Sequence, residues 1–130
     1  MIFVDTNVFM YAVGCSHPLQ DAAQDFFADA ADSNLRLFTS AEVLQELMHV
    51  YEATGRMDTF AVAMELVDRS TAQVWPLERE DIELARQLYV QYPELSARDL
   101  CHLACCRRPG ISRVKTFDQA FLSVAGESGT

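Results

Sequence analysis

Hydrophobic and polar positions along this chain fall into two kinds of block that take turns from end to end. Short apolar runs of strand length occur at Ile2-Phe3-Val4, Leu35–Thr39, Gln73–Leu77 and Ile111–Phe117. Between them lie longer stretches whose apolar residues recur every three or four positions, the period of a helix with one buried face. The first run ends in Asp5, and Thr6 and Asn7 follow at once. A continuous apolar run of this length reads as a strand covered on both faces. Val8 to Val13 then forms a short helix with Thr6 or Asn7 as its N-cap. Strand, acid, helix places the Asp5 carboxylate at the carboxyl end of a strand, the edge where open parallel sheets gather ligands.

The same reading continues through the chain. After the His17-Pro18 turn, Ala22, Ala23, Phe26, Phe27, Ala30 and Ala31 mark a helix from Leu19 to Asp32 that Asn34 ends. Asp21, Asp25, Asp29 and Asp32 form its solvated stripe. Ser40 caps a helix from Ala41 to about Thr54, stopped by Gly55, with Val43, Leu44, Leu47, Met48, Val50 and Tyr51 inward. On that helix Glu42 falls opposite the apolar stripe, whereas Glu46 lies at its border and can reach a cleft. A helix over Met57–Arg69 turns Phe60, Ala61, Met64 and Val67 inward. Pro76 ends the third strand and marks it as an outer one. Helix Arg79–Tyr92 begins with acids that suit its dipole, and Pro93 stops it. The next helix opens at Ser96-Ala97-Arg98-Asp99, buries Leu100, Leu103 and Ala104, and breaks at Pro109-Gly110. Ser112 to Thr116 is the last strand, and Asp118-Gln119-Ala120-Phe121 repeats the opening pattern of strand, acid and short helix. The tail from Gly126 to Thr130 reads as loose. Strands alternating with helices predict an α/β fold, a central mostly parallel sheet of four to five strands between helices in a three-layer sandwich.

Composition changes this picture in four ways. At 130 residues, half of them hydrophobic and 22% charged, residues 1–130 make one globular domain. The net charge of -9 and pI near 4.6 argue against an ordinary nucleic-acid binder. Yet five of the ten basic residues, Arg98, Arg107, Arg108, Arg113 and Lys115, crowd near the C-terminus. A site holding divalent cations would supply further positive charge. No apolar run reaches membrane-spanning length, and Asp5 inside the first run argues against a secretory signal, so a cytosolic location is expected. Cys15, Cys101, Cys105 and Cys106 lack the paired spacing of a zinc site, and a zinc reading with His102 has no second ligand pair. They read as small buried hydrophobes in a reducing compartment.

The candidate chemistry lies in four acids. Asp5 and Asp118 end strands, Asp99 starts a helix that leads into the last strand, and Glu46 follows the second strand. Each has a local explanation as a helix cap, and Asp99 could complete a capping box with Ser96. Carboxylates brought that close would take up protons unless cations neutralised them, and hard oxygen ligands suit Mg²⁺ or Mn²⁺.

Val4-Asp5-Thr6-Asn7, Glu46-Leu47, Ala97-Arg98-Asp99-Leu100 and Thr116-Phe117-Asp118-Gln119-Ala120-Phe121 together resemble a PIN domain. More narrowly, the chain is similar over essentially its whole length to the VapC toxins of bacterial toxin–antitoxin pairs. The resemblance implies a metal-dependent endoribonuclease in which Asp5, Asp99 and Asp118 ligate Mg²⁺ or Mn²⁺. Glu46 would ligate the metal or orient the attacking water, leaving a 3′-hydroxyl and a 5′-phosphate. Asn7 and Thr116 would orient carboxylates or phosphate from beside the acids. It also implies a homodimer, a cognate VapB-type antitoxin as partner, and a structured RNA as substrate. That RNA would be a tRNA anticodon stem-loop or the sarcin–ricin loop of 23S rRNA. Arg98, Arg107, Arg108, Arg113 and Lys115 are candidates for phosphate contacts. His102, three positions after Asp99, reads as a partly buried structural histidine. A haloacid-dehalogenase-type phosphatase would need a second Asp where this chain has Asn7. An RNA-processing nuclease of the same fold, or a non-catalytic RNA- or protein-binding module, remain the other readings.

Overall fold

The computed structural model describes residues 1–111 and 113–129, and no side chain of 126–129. Along the chain come β1 (Ile2–Val4), α1 (Thr6–Val13), α2 (Gln20–Asp32), β2 (Leu37–Ser40), α3 (Ala41–Ala53) and α4 (Met57–Ser70). They are followed by β3 (Gln73–Trp75), α5 (Arg79–Gln91), α6 (Ala97–Arg107), β4 (Arg113–Lys115) and α7 (Gln119–Gly129). The strands form one sheet in the order β3-β2-β1-β4, and every pairing is parallel. Ile2 pairs with Leu37 on one side and Arg113 on the other, which makes β1 an interior strand. The expected α/β sandwich around a parallel sheet is therefore the observed fold.

Burial follows from this order. β1 and β2 are buried at every position, while β3, the edge strand that Pro76 announced, exposes Gln73 and Val74. Phe3, Phe38, Phe9, Val8, Val43 and Leu47 lie in one core that joins β1 and β2 to α1–α4. Leu88, Leu103, Phe121 and Val124 lie in a second that joins α5, α6 and α7, and Val114 of β4 packs against both. Each fully buried Leu or Phe contributes about 1.5–3 kcal/mol relative to an exposed one.

Several helices sit differently from their sequence reading. α1 begins at Thr6, two residues before Val8, with Asp5 rather than Thr6 or Asn7 as N-cap. α4 is rotated, burying Ala63, Leu66 and Val67 and leaving Ala61 exposed. Leu66 belongs to the core that β1 and β2 share with the first four helices. On α3, Met48 lies outside the buried stripe, and Glu42 is half-buried rather than on the surface. α2 is followed by Asn34, whose positive φ of 55° is the left-handed stop that Asn tolerates. α7 continues into the tail that was expected to be loose, with Thr130 outside the described residues, as is Ser112 of the last strand.

The order β3-β2-β1-β4 has a functional consequence. The chain winds outward from β1 through β2 to β3, then returns to the other side of β1 to lay down β4. The reversal leaves a crevice at the carboxyl ends of β1 and β4, the usual ligand position in such sheets.

Candidate functional site

Asp5 stands in that crevice, immediately after β1, and is only 5% exposed. Its backbone N–H continues the ladder to the Lys115 carbonyl at 3.0 Å. Its two carboxylate oxygens are separately held. Oδ1 accepts from the Thr6 N–H at 2.7 Å, and Oδ2 accepts from the Thr116 hydroxyl at 2.7 Å. Thr116 in turn accepts from the Asn7 amide at 3.3 Å and from the Asp118 N–H at 3.0 Å. Asn7 returns across the gap by accepting from the Phe117 N–H at 3.1 Å. The start of α1 is thus tied to the segment after β4, and one threonine hydroxyl sits at the knot. Asp118 caps α7 through one oxygen, accepting from Ala120 N–H at 2.9 Å and Phe121 N–H at 3.2 Å. Ser96 caps α6 by accepting from the Asp99 N–H at 3.1 Å, which points the start of that helix at the same edge.

Glu46 reaches the crevice from α3. Thr6 donates to its Oε1 at 2.6 Å, and Arg98 lies 3.6 Å from Oε2. His102 of α6 completes the group. Its ring is 1% exposed, tilted against Phe3 and stacked at 6.0 Å on Phe121. Nε2 sits 3.5 Å from Asp5 Oδ1 and 3.6 Å from Glu46 Oε1, ion-pair distances beyond a good hydrogen bond. Among the described residues neither ring nitrogen has a hydrogen-bond partner. Among the described residues, Asp5, Glu46 and His102 are the one group whose ligand atoms all lie within 4.8 Å of one another. In sequence His102 reads as a structural histidine that could lie near the groove, and Thr6 as a cap only. The signal for His102 was its place one helical turn after Asp99; Thr6 gave none.

The electrostatics record the crowding. Burial raises the Asp5 carboxyl above its ordinary value, against the pull of His102, Thr116 and Thr6. Burial also raises Asp99, and the negative charges of Asp118 and Asp5 raise it further. Burial would raise Glu46 too, but His102, Thr6 and Arg98 outweigh it and hold Glu46 low. Burial works against a charge on His102, yet Glu46, Asp5 and Asp99 together raise its proton affinity. A crevice that favours protons on two carboxyls and on an imidazole is short of positive charge. Hard carboxylate oxygens with that deficit fit a divalent cation.

The linkage has a definite sign. The raised Asp5 and Asp99 contribute stability that is complete below their ordinary value of 3.8 and is lost as pH rises through their folded values. His102 acts alike above 6.5, and Glu46 acts oppositely, its contribution lost as pH falls below 4.5. A cation that relieves the carboxylates should therefore raise the melting temperature more at pH 8 than at pH 5. Thermal melts with and without Mg²⁺ or Mn²⁺ at the two values would show it, and an equal rise at both would contradict it.

The basic residues divide. Arg98 stands at the mouth, 46% exposed along its side chain, beside Glu46. Arg113 is exposed on β4, Arg107 lies over the Tyr92 ring, and Lys115 lies over Phe26 and Phe117. Arg108 is engaged elsewhere, 2.8 Å from the buried Asp81 and 3.9 Å from Glu78. Asp81 also accepts the Glu78 N–H in the capping box of α5, so Arg108 pairs with the group that starts that helix. Arg108→Ala should lower the melting temperature while shifting RNA affinity no more than a surface Arg79→Ala control does. Paired melting and filter-binding measurements would decide it. All four cysteines are free; Cys105 and Cys106 are buried as small hydrophobes, burial pushing the Cys105 thiol up to about 11, whereas Cys101 is half-buried and Cys15 is exposed, contrary to the sequence expectation.

Comparison with known proteins identifies the family. The PIN domain family model matches residues 2–127. Ribonuclease VapC23 of Mycobacterium tuberculosis is 50% identical over 123 residues, covering 95% of this chain and 97% of its own. Ribonuclease VapC13 of the same organism is 41% identical over 126 residues, covering 97% and 96%. In fold, the chain superposes on the crystal structure of M. tuberculosis VapC20, a sarcin–ricin loop cleaving toxin, with a TM-score of 0.81 at 21% identity and 95% coverage of both. It also matches a VapBC2 structure from Rickettsia felis, bound to a DNA fragment from the promoter, at a TM-score of 0.71 and 15% identity, covering 95% of this chain and 92% of that one. The chain belongs to the PIN-domain family and, within it, to the VapC ribonucleases.

Proposed function

We propose that this protein is the toxin of a VapBC-type pair, a Mg²⁺- or Mn²⁺-dependent endoribonuclease whose site is built by Asp5, Glu46, Asp99 and Asp118. The observation that supports it most is the convergence of Asp5, Glu46 and His102, whose ligand atoms lie within 4.8 Å of one another at the reversal of the sheet, with the charges of Asp118 and Asp5 raising the Asp99 carboxyl. Asp5, Asp99 and Asp118 would hold the cation, with Glu46 as a fourth ligand or as acceptor for the attacking water. A bound divalent cation supplies charge stabilisation at the scissile phosphate and lowers the pKa of water.

The protein's own groups do the rest. Thr116 and Thr6 fix the two oxygens of Asp5, so its carboxylate keeps one orientation without spending its remaining lone pairs. Asn7 holds Thr116 in place and ties Phe117, the residue before Asp118, to α1. Glu46 stays ionised, oriented by the Thr6 hydroxyl, and can accept a proton from water. Arg98 stands where an RNA phosphate would enter, and on that entry it exchanges Glu46 for phosphate. A cognate VapB-type antitoxin, a homodimer and a structured RNA, whether tRNA anticodon stem-loop or sarcin–ricin loop, belong to the same reading.

The test is cleavage of total RNA by purified, antitoxin-free protein in Mg²⁺, Mn²⁺ or EDTA, with mapping of the ends. Discrete, metal-dependent cuts leaving 3′-hydroxyls are expected. Folded protein that cut nothing with either metal would shift the reading to a non-catalytic binding module. Discrete cuts in precursor RNA alone would favour a processing nuclease.

A further inference from the structure

Beside the acids, on the flank of α1, runs a file of rings that the metal chemistry does not use. We propose that His17, Tyr11 and Phe117, with Lys115 beside them, form a stacking platform for an unpaired nucleobase adjacent to the phosphate that is cut. The inference rests on the nuclease reading and names what that reading leaves open, the local form of the RNA.

The geometry is specific. The Tyr11 and His17 rings lie 4.2 Å apart and 11° from parallel, a full stack. Tyr11 also meets Phe117, with centroids 5.7 Å apart. Lys115 Nζ sits 4.9 Å above the Phe117 ring and 5.5 Å from Phe26. Tyr11 and Phe117 are half-buried against the main core, which accounts for them as packing. His17 has no such account, because it is exposed. Even so it is fixed twice, by the stack and by Nδ1 accepting the Leu19 N–H at 3.0 Å. Tyr11 covers one face of the imidazole, and the residue as a whole is exposed. An exposed ring already held in one orientation has lost its rotamer freedom before any partner arrives, which favours binding to it.

Two observations select RNA as the partner. The file is continuous with the acids: Tyr11 lies four residues after Asn7 on the same face of α1, and Phe117 stands between Thr116 and Asp118. A base on His17 would therefore belong to a strand whose backbone passes the acids within a nucleotide or two. In a chain of net charge -9, Lys115 also places a cation beside the rings, where a phosphate flanking the stacked base would lie. A paired base cannot reach such a platform, whereas bases in loops and bulges can be splayed onto rings. Stacking accepts any base, so the platform selects unpaired structure rather than sequence.

The test uses full-length Asp5→Asn protein in Mg²⁺, which leaves RNA uncut, and an oligonucleotide spanning the cleavage mapped with the wild type. An abasic nucleotide is walked through the positions flanking the cut, and affinity is measured by fluorescence anisotropy. At one position, loss of the base should weaken binding about tenfold. In the Asp5→Asn protein that also carries His17→Ala, intact and abasic RNA should bind equally. His17→Phe should restore the difference, and 2-aminopurine at that position should be quenched by the imidazole or phenyl ring but not by the alanine methyl. If the RNA binds but base removal costs the same with and without the His17→Ala substitution, this proposal falls and the nuclease reading stands. If wild-type protein neither cuts nor binds RNA, both fall.

Discussion

Asp5→Asn is expected to reduce RNA cleavage by about 10³-fold or more while leaving the metal-free fold as stable as the wild type or more so. The loss follows from geometry. Asp5 is the acid most deeply set in the crevice, and Thr6 N–H and Thr116 hydroxyl bonds aim it there. A metal-held phosphate draws several kcal/mol of charge stabilisation from such a site, and each step of about 1.36 kcal/mol is tenfold in rate. An amide keeps the shape but takes away the negative charge that holds the cation. The stability half follows from the raised proton affinity of Asp5: burial penalises its charged form at neutral pH, and Asn carries no such penalty. The two halves give opposite signs in two assays. A metal titration followed by thermal melting adds a third, since saturation to 100 times the Kd should raise wild-type stability by about 2.7 kcal/mol and the variant far less. A variant that cleaved normally would remove Asp5 from the mechanism. A variant that failed to fold would show Asp5 acting chiefly as the cap of α1.

Phe121→Ala is expected to cost about 3–5 kcal/mol, a large share of the roughly 5–15 kcal/mol that a domain of this size has in all. Phe121 is wholly buried on α7, just after the Asp118 cap, and its N–H is one of the two that Asp118 accepts. Its ring lies parallel to His102 at 6.0 Å, while Phe3 lies against His102 at 5.5 Å. Truncation opens a cavity beside the one buried group whose nitrogens have no hydrogen-bond partner among the described residues. His102 is then free to turn away from Asp5 and Glu46. Urea denaturation should show the stability loss, and cleavage at a temperature where the variant stays folded should fall as well. Phe121→Leu, which fills most of the space, should recover most of both. A loss under about 1 kcal/mol, well short of an ordinary large-to-small core substitution, would mean that the second core does not hold the site.

These two residues also show which parts of the protein were legible before the fold. Asp5 was found from a local pattern, apolar strand followed by acid and helix, and that pattern recurs at Asp118. Strand and helix periods are set by neighbouring residues, so the alternation of elements, the outer position of β3 and the parallel sheet could be read along the chain. The chirality and connection rules for parallel strands then carry Asp5 and Asp118 to one edge. Resemblance to a family added roles for the acids, and the roles rest on that likeness rather than on periodicity.

What the chain order does not encode is which side chains touch once the edge is built. The Thr6–Glu46 bond joins residues 40 apart and the Thr116–Asp5 bond residues 111 apart. Neither pairing leaves a periodic trace, because each depends on the relative height of two elements in the finished sandwich. The same is true of Arg108. In sequence it is one of a basic cluster suited to phosphate, and only the packing of α5 on α6 gives it Asp81 instead. His102 looks like a core position on α6, and so it is by burial. Its place between two carboxylates exists only after α3 and β1 arrive on either side of it. By itself the sequence determined the elements, their order and the acids at strand ends, because those depend on local sterics and burial. The tertiary structure decided how each acid is held, which cation faces it and which rings lie beside it, because those contacts join distant segments only when the whole core closes.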